Sequence, residues 1–129
     1  MGWFWWWPFG KVPEVSAAEL NKMRLDDTVR PQIIDVRTGV EWRNGHVPGA
    51  IHVPVTELGA RVKELNFDGS RPIVAICRSA HRSIPAVNVL RQNGFRDACQ
   101  LEGGMLAWWK AELPLEGEGG TDDAKGCRN

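Results

Sequence analysis

The chain places a thiol directly after a run of apolar residues and directly before a short basic, hydroxyl-rich segment. The apolar run is Ile73–Ile76, the thiol is Cys77, and the next residues read RSAHRS. Helix N-termini and neighbouring cations favour the thiolate form of a cysteine. This segment offers Arg78 and Arg82, with His81 as a further candidate. We interpret Cys77 as a reactive nucleophile; the alternative is a small buried hydrophobic residue, as many free cysteines are.

The segments around Cys77 alternate between strand patterns and helix patterns. Strands are predicted between turn signals, at 31–37 with its end near Asp35, between Pro48 and Pro54, at 72–77 and at 97–104. Helices are predicted from caps and periodicity, at 16–25 with Ser16 and Glu19 as a capping box, at 56–65 with Thr56 as cap, at 83–94 with Gly94 as stop and at 105–113, with a helical turn at 40–45. Because the longest strand is apolar on both faces, this order indicates an α/β fold with a parallel sheet covered by helices on both sides.

The thiol stands where this architecture places ligands. In parallel α/β sheets, ligands bind outside the carboxyl ends of the strands, where a loop turns into the next helix. The helix predicted to begin near Ser83 directs its positive end at that point, and the backbone N–H groups of residues 78–83 can curl around it. The sequence therefore predicts a site that stabilises a sulfur anion at Cys77.

Length and composition limit the class of protein. The 129 residues suffice for one domain with a hydrophobic core. The 16 basic and 16 acidic residues balance, so no overall field attracts nucleic acid or an acidic membrane. The cysteines lie in unlike contexts and predict no disulfide framework. Pro8 interrupts the aromatic start too early for a signal sequence or a membrane span. We expect a reducing, cytoplasmic setting, at most peripheral at a membrane.

The loop CRSAHRS resembles the active-site loop of the rhodanese sulfurtransferases, in which a cysteine is followed by four residues and an arginine. Further segments resemble that family's motifs in the right order: IIDVRTGVEWRNGHVPGAIHVP, PIVAICRSAHRS and LEGGMLAWW. The resemblance covers about residues 12–115. It implies the rhodanese-like three-layer fold, with a central, mostly parallel sheet and helices on both faces.

The same resemblance implies sulfur transfer without a metal or an organic cofactor. Cys77 would take sulfane sulfur from thiosulfate or a related donor as a persulfide, and would pass it to cyanide or to a thiol. The substrate-binding residues would be those of the loop: Arg78, Ser79, Ala80, His81, Arg82 and Ser83. The two arginines of the loop would counter the negative charge of the donor.

Two details of the loop bear on this expectation. Ala80 stands where the family most often has glycine; if the position needs a left-handed backbone, alanine costs about 1 kcal/mol or somewhat more. We therefore expect a slightly strained or shifted loop that is still active. Related cell-cycle phosphatases have one more residue between cysteine and arginine, which makes room for a phosphoryl group. The four intervening residues here favour sulfur over phosphate and disfavour a phosphatase or arsenate reductase.

Polar residues outside the loop have competing interpretations. Asp35 and Arg37 follow the first core strand and, with Glu41, either line the mouth of the site or pin the turn with charge pairs; pinning is favoured because such pairs form at little cost. His46 has no second histidine or cysteine at metal-ligand spacing, so a structural hydrogen bond is favoured. The same applies to His52.

The remaining aromatic and sulfur side chains are expected to be structural. Of Trp108 and Trp109, one should be core and the other partly exposed. Cys99 should be inert core. Cys127 lies in a polar segment from which it could reach Cys77 and resolve a persulfide as a disulfide, although a thiol without a role is favoured there.

The first residues contain the least expected feature, a cluster of tryptophans: Trp3, Trp5, Trp6 and Trp7. Burial of an aromatic side chain is worth roughly 1.5 to 3 kcal/mol, so we expect this leader to pack on its own domain or on a second subunit. A membrane interface or a partner protein is the alternative. The expected organisation is a leader at 1–11, the domain at 12–115 and a flexible polar tail at 116–129. The competing function is a non-catalytic rhodanese-like binding module that the leader recruits to a partner or membrane.

Overall fold

The computed structural model describes residues 12–117. The predicted roles of Trp3, Trp5, Trp6, Trp7 and Cys127 concern positions outside the described residues, and they stay predictions.

Strands and helices alternate along the described chain. The strands are β1 (Glu14–Val15), β2 (Gln32–Asp35), β3 (Ile51–His52), β4 (Ile73–Ile76) and β5 (Ala98–Leu101). The helices are α1 (Ala17–Arg24), α2 (Gly39–Arg43), α3 (Val55–Arg61), α4 (Ser83–Gln92) and α5 (Gly104–Lys110), and a 3₁₀ turn at Val62–Glu64 extends α3. The sequence did not predict β1, because two residues are too few to show a pattern.

The strands form one sheet in the order β1-β5-β4-β2-β3, with every neighbouring pair parallel. β4 lies in the centre, where it pairs with β2 on one side and with β5 on the other. Crossover helices are needed between parallel strands, and the alternating order supplies them. The predicted α/β class is therefore confirmed.

Two apolar layers cover the sheet, one on each face. On β4, Ile73 and Ala75 point into a core shared with α3 and α4, whereas Val74 and Ile76 point into a core shared with α1 and α5. All these side chains are buried. This alternation explains why β4 is apolar throughout. Cys77 follows directly after the last residue of this strand.

The helix starts follow local chemistry more closely than apolar periodicity. The capping box of Ser16 and Glu19 at the start of α1 is present as predicted. The predicted cap at Thr56 is wrong: α3 begins one residue earlier, at Val55, after Pro54, and has no side-chain cap. The reason is that the Val55 amide donates to the Val36 carbonyl at 3.0 Å, which joins the start of α3 directly to the end of β2.

The C-terminal helix and the segment after it close one face of the domain. Trp108 is fully buried and its Nε1 donates to the Pro114 carbonyl at 2.8 Å, while Trp109 is 38% exposed; the predicted division between the two is confirmed. Contacts with the domain continue one residue past the predicted boundary at 115. Glu116 and His46 exchange two backbone hydrogen bonds of 2.8 Å as an antiparallel bridge, so Glu116 belongs to the domain.

No helix between residues 12 and 117 is both long enough and apolar enough to cross a membrane. In the same range, no set of three His, Cys, Asp or Glu side chains could hold a metal ion.

Candidate active site

Cys77 lies at the carboxyl end of the central strand, as predicted from the apolar run before it. Its residue is buried, with 1% of its surface exposed. The first turn of α5 holds the backbone there: the Met105 amide donates to the Cys77 carbonyl at 2.8 Å, and the Leu106 amide donates to the Arg78 carbonyl at 3.0 Å. The thiol is therefore buried at the base of the loop, in which Arg78 and His81 are exposed.

The backbone amides of residues 78–82 have no hydrogen-bond acceptor among the described residues of the protein. Within residues 12–117, none of the N–H groups of residues 78–82 donates a hydrogen bond to another residue. Backbone donors are strong hydrogen-bonding groups that seek an acceptor, and successive amides in a turn create a concave binding site for anions. The loop that directly follows Cys77 therefore leaves backbone donors available.

Ala80 has a left-handed backbone, with φ of +72°. Such a conformation costs an L-amino acid roughly 1 to 2 kcal/mol. On the two sides of this bend, the Ser79 hydroxyl and His81 Nδ1 lie 3.0 Å apart. The loop thus adopts at Ala80 a backbone conformation that glycine would adopt without strain.

Replacing Ala80 with glycine should raise the free energy of unfolding by about 0.5 kcal/mol, because relief of the left-handed strain exceeds the greater freedom of glycine in the unfolded chain. Urea denaturation measures the change. Ala60→Gly in the exposed part of α3 is the matched control, and it should lower stability by about 1 kcal/mol. A loss at Ala80 as large as that at Ala60 would show that position 80 is not left-handed in solution.

A chain of hydrogen-bonded polar side chains leads from the buried thiol to the exposed Glu14 on β1. The Ser83 hydroxyl lies 3.5 Å from Cys77 Sγ and donates to Gln100 Oε1 at 2.6 Å. The Gln100 amide in turn donates to Glu14 Oε2 at 2.8 Å. Because the Ser83 proton points to Gln100, its oxygen is free to accept a hydrogen bond from the thiol. Sequence reasoning missed Gln100 and Glu14, since a lone glutamine on β5 gives no signal of its partner.

Arg82, at the other end of the loop, is held by a carboxylate from α2. Arg82 Nη1 and Nη2 donate to the two oxygens of Glu41 at 2.7 and 2.9 Å. These hydrogen bonds, with those from Thr38, lower the pKa of Glu41 to about 2. The pKa of Arg82 is raised, first by Glu41 and to a smaller extent by Cys77 and Asp35. Arg78 forms no ion pair with any side chain in the described range. The two arginines of the loop are therefore not equivalent.

Asp35 and Arg37, the residues considered for the mouth of the site, form an ion pair with each other. Both are buried and bind each other, with Arg37 Nη2 2.7 Å from Asp35 Oδ2, and the same nitrogen donates to the Gly45 carbonyl at 2.8 Å. The pinning interpretation holds, but the pair lies in the interior and not at a half-exposed surface, because the guanidinium finds carboxylate and carbonyl acceptors together there. Glu41, considered with this pair in the sequence, bonds to the loop instead.

The other candidates have structural contacts. His46 Nδ1 lies 2.8 Å from the Trp42 carbonyl and its ring stacks on Trp42, while His52 Nε2 lies 2.8 Å from the Arg37 carbonyl. Burial raises the pKa of the Cys99 thiol to about 12. Cys99 therefore stays protonated at neutral pH and is a poor nucleophile.

Comparison with known proteins gives consistent matches. A family model described as "Rhodanese-like domain" matches residues 16–111. A sulfurtransferase of Allochromatium vinosum is 35% identical over 104 residues, which cover 81% of this chain and 94% of that protein. The HTH-type transcriptional regulator Rv0324 of Mycobacterium tuberculosis is 38% identical over 106 residues, but the chain spans only 46% of its length. Among solved structures, the rhodanese-like domain of Anabaena Alr3790 superposes with a TM-score of 0.73 at 29% identity, covering 91% of this chain and 88% of that one.

Proposed function

Because the chain belongs to the rhodanese-like domain family, we propose that it is a sulfurtransferase that carries sulfane sulfur as a persulfide on Cys77. Relatives named sulfurtransferase support sulfur transfer in general. The donor we propose is thiosulfate or a related small sulfur anion, and the acceptor is cyanide or a thiol. We propose a cytoplasmic setting, because the reaction needs a free thiol.

The observation that carries this proposal is the run of amides at residues 78–82, which directly follows the buried Cys77 and donates to no residue between 12 and 117. A persulfide extends the side chain by one sulfur atom and carries its negative charge on that terminal atom. Preorganised N–H donors stabilise such a charge well in a site that excludes water. A merely structural cysteine would not need these donors.

The proposed reaction has two displacement steps. The Cys77 thiolate attacks the outer sulfur of thiosulfate; the new S–S bond forms as the bond to the sulfonate sulfur breaks, and sulfite leaves with the electron pair. Cyanide then attacks the terminal sulfur of the Cys77 persulfide, so that thiocyanate leaves and the thiolate is restored. This is covalent catalysis with ping-pong kinetics. Arg78, exposed and without an ion-pair partner in the described chain, is placed to attract the donor anion.

The first experiment is the intact mass of the purified protein before and after thiosulfate. We expect a gain of about 32 Da, one sulfur atom, that cyanide removes and that peptide mapping assigns to Cys77. If thiosulfate gives no gain, the same measurement with glutathione persulfide follows. No gain with either donor would contradict the proposal and favour the non-catalytic binding module. Deletion of residues 1–10, followed by sedimentation and liposome binding, would then test recruitment through the leader.

A further inference from the structure

The ion pair between Glu41 and Arg82 places a fixed negative charge against the loop that is proposed to receive a sulfur anion. We propose that Glu41 is a specificity-determining residue that favours sulfur donors with one or no negative charge, such as thiosulfonates and hydropersulfides, over dianions. This inference rests on the proposed function, and it narrows the class of donor.

The geometry of the pair shows that Arg82 is occupied. Both terminal nitrogens of its guanidinium bind the two oxygens of one carboxylate, at 2.7 and 2.9 Å. Bidentate pairs of this kind are the stronger form of the interaction. Glu41 Oε1 also accepts from the Thr38 amide at 3.0 Å and from the Thr38 hydroxyl at 3.1 Å, which closes a capping box at the start of α2. A donor anion would have to break this arrangement to bind Arg82 in the same way.

The charges around the loop follow from these contacts. Glu41 is ionised at neutral pH, because its hydrogen bonds from Arg82 and Thr38 hold its pKa at about 2. Asp35 and Arg37 compensate each other in the interior. Within residues 12–117, Arg78 is thus the arginine of the loop whose charge no carboxylate compensates. Arg78 can therefore balance a donor that carries one negative charge.

A second negative charge on the donor meets the Glu41 carboxylate without a cation to balance it. Thiosulfate and methanethiosulfonate present the same kind of outer sulfur, but thiosulfate carries one more negative charge. With methanethiosulfonate, the Cys77 thiolate takes the outer sulfur and methanesulfinate leaves with the electron pair, so the same persulfide forms. A comparison of the two donors therefore isolates the effect of the donor's charge, because both form the same persulfide.

The test compares Glu41→Gln with the wild type at fixed ionic strength, with cyanide as acceptor. Glutamine keeps one oxygen, which can still close the capping box, and it removes the negative charge together with the acceptor that Arg82 Nη2 uses. We expect kcat/KM for thiosulfate, divided by that for methanethiosulfonate, to rise about three- to tenfold. Arg82→Gln, which leaves Glu41 uncompensated, should lower the same ratio. Glu57→Gln, which breaks the exposed Glu57–Arg61 pair of α3, is the matched control and should leave it unchanged.

A second measurement needs no turnover. Sulfate is a dianion that cannot donate sulfane sulfur, and its binding can be followed as protection of Cys77 against the neutral alkylating agent iodoacetamide. Glu41→Gln should lower the sulfate concentration that gives half protection by about three- to tenfold, and Glu57→Gln should not. If wild-type protein forms no persulfide from either donor, the proposed function fails, while sulfate protection still tests the role of Glu41. A donor ratio that Glu41→Gln leaves unchanged, whether kcat/KM stays the same or changes equally for both donors, would overturn the inference. Where no turnover occurs, unchanged sulfate protection would do so.

Discussion

Cys77→Ser is expected to lower the rate of sulfur transfer from thiosulfate to cyanide by at least about a thousandfold. The hydroxyl that replaces the thiol is a far weaker nucleophile at neutral pH and cannot form a persulfide. The fold should persist, because oxygen is slightly smaller than sulfur and Ser83 Oγ, 3.5 Å from the sulfur, offers the buried hydroxyl a polar neighbour. Thiocyanate production over a range of thiosulfate concentrations measures the loss.

The matched control is Cys99→Ser on the neighbouring strand β5. Cys99 is half-buried, and burial raises its pKa to about 12, so it should not take part in the reaction. This variant should keep wild-type rates within about twofold. Circular dichroism of both variants checks that the fold is intact. Thiocyanate production by folded Cys77→Ser at more than a few per cent of the wild-type rate would exclude the persulfide mechanism.

The position of the thiol could be predicted because the signals that place it are local. An apolar run of four residues fixes β4, and the basic loop and helix start follow it directly in sequence. The capping box at Ser16 was likewise readable, since its partner Glu19 is three residues away. Such contacts depend on the spacing of neighbouring residues and on little else.

The environment of the thiol could not be predicted in the same way. Glu41 and Arg82 are 41 residues apart, and Gln100 and Glu14 are 86 apart. Charged residues can pair with several partners of similar energy when they are exposed, so sequence alone does not choose among them. Here the packing of α2 and β1 against neighbouring elements makes the choice. For the same reason the burial of the Asp35–Arg37 pair was missed.

Residues close to Cys77 in sequence and residues distant from it are expected to have different roles in the site. In the proposed reaction, residues near Cys77 in sequence supply the amides that bind the sulfur anion, whereas partners from β1, α2 and β5 pair with Arg82 and with Ser83. Substitutions in the first group should therefore affect reaction rate with every donor. Changes at Glu41 should instead alter the preference among donors.

Gly104→Ala is expected to destabilise the domain by at least about 3 kcal/mol and to lower sulfur transfer by at least tenfold. Gly104 has φ of +61°, which alanine rarely adopts, and an added Cβ would lie 2.5 Å from the Cys77 carbonyl oxygen and 2.6 Å from that of Arg78. Both carbonyls accept hydrogen bonds from the first turn of α5. To relieve the clash, α5 would have to move away from the base of the loop, which would break these bonds and disturb the buried Trp108.

Gly59→Ala in α3 provides the same chemical change where nothing opposes it. Apart from the neighbouring residues and backbone of α3 itself, no atom of the described residues lies within 4 Å of the added Cβ, and alanine inside a helix should stabilise the protein by about 0.5 to 1 kcal/mol. In urea denaturation, the two variants should therefore change the stability in opposite directions. In thiosulfate–cyanide kinetics, only Gly104→Ala should lower the rate of sulfur transfer. A Gly104→Ala protein as stable and active as Gly59→Ala would show that α5 does not support the loop through this contact. The reaction would then depend on the loop alone.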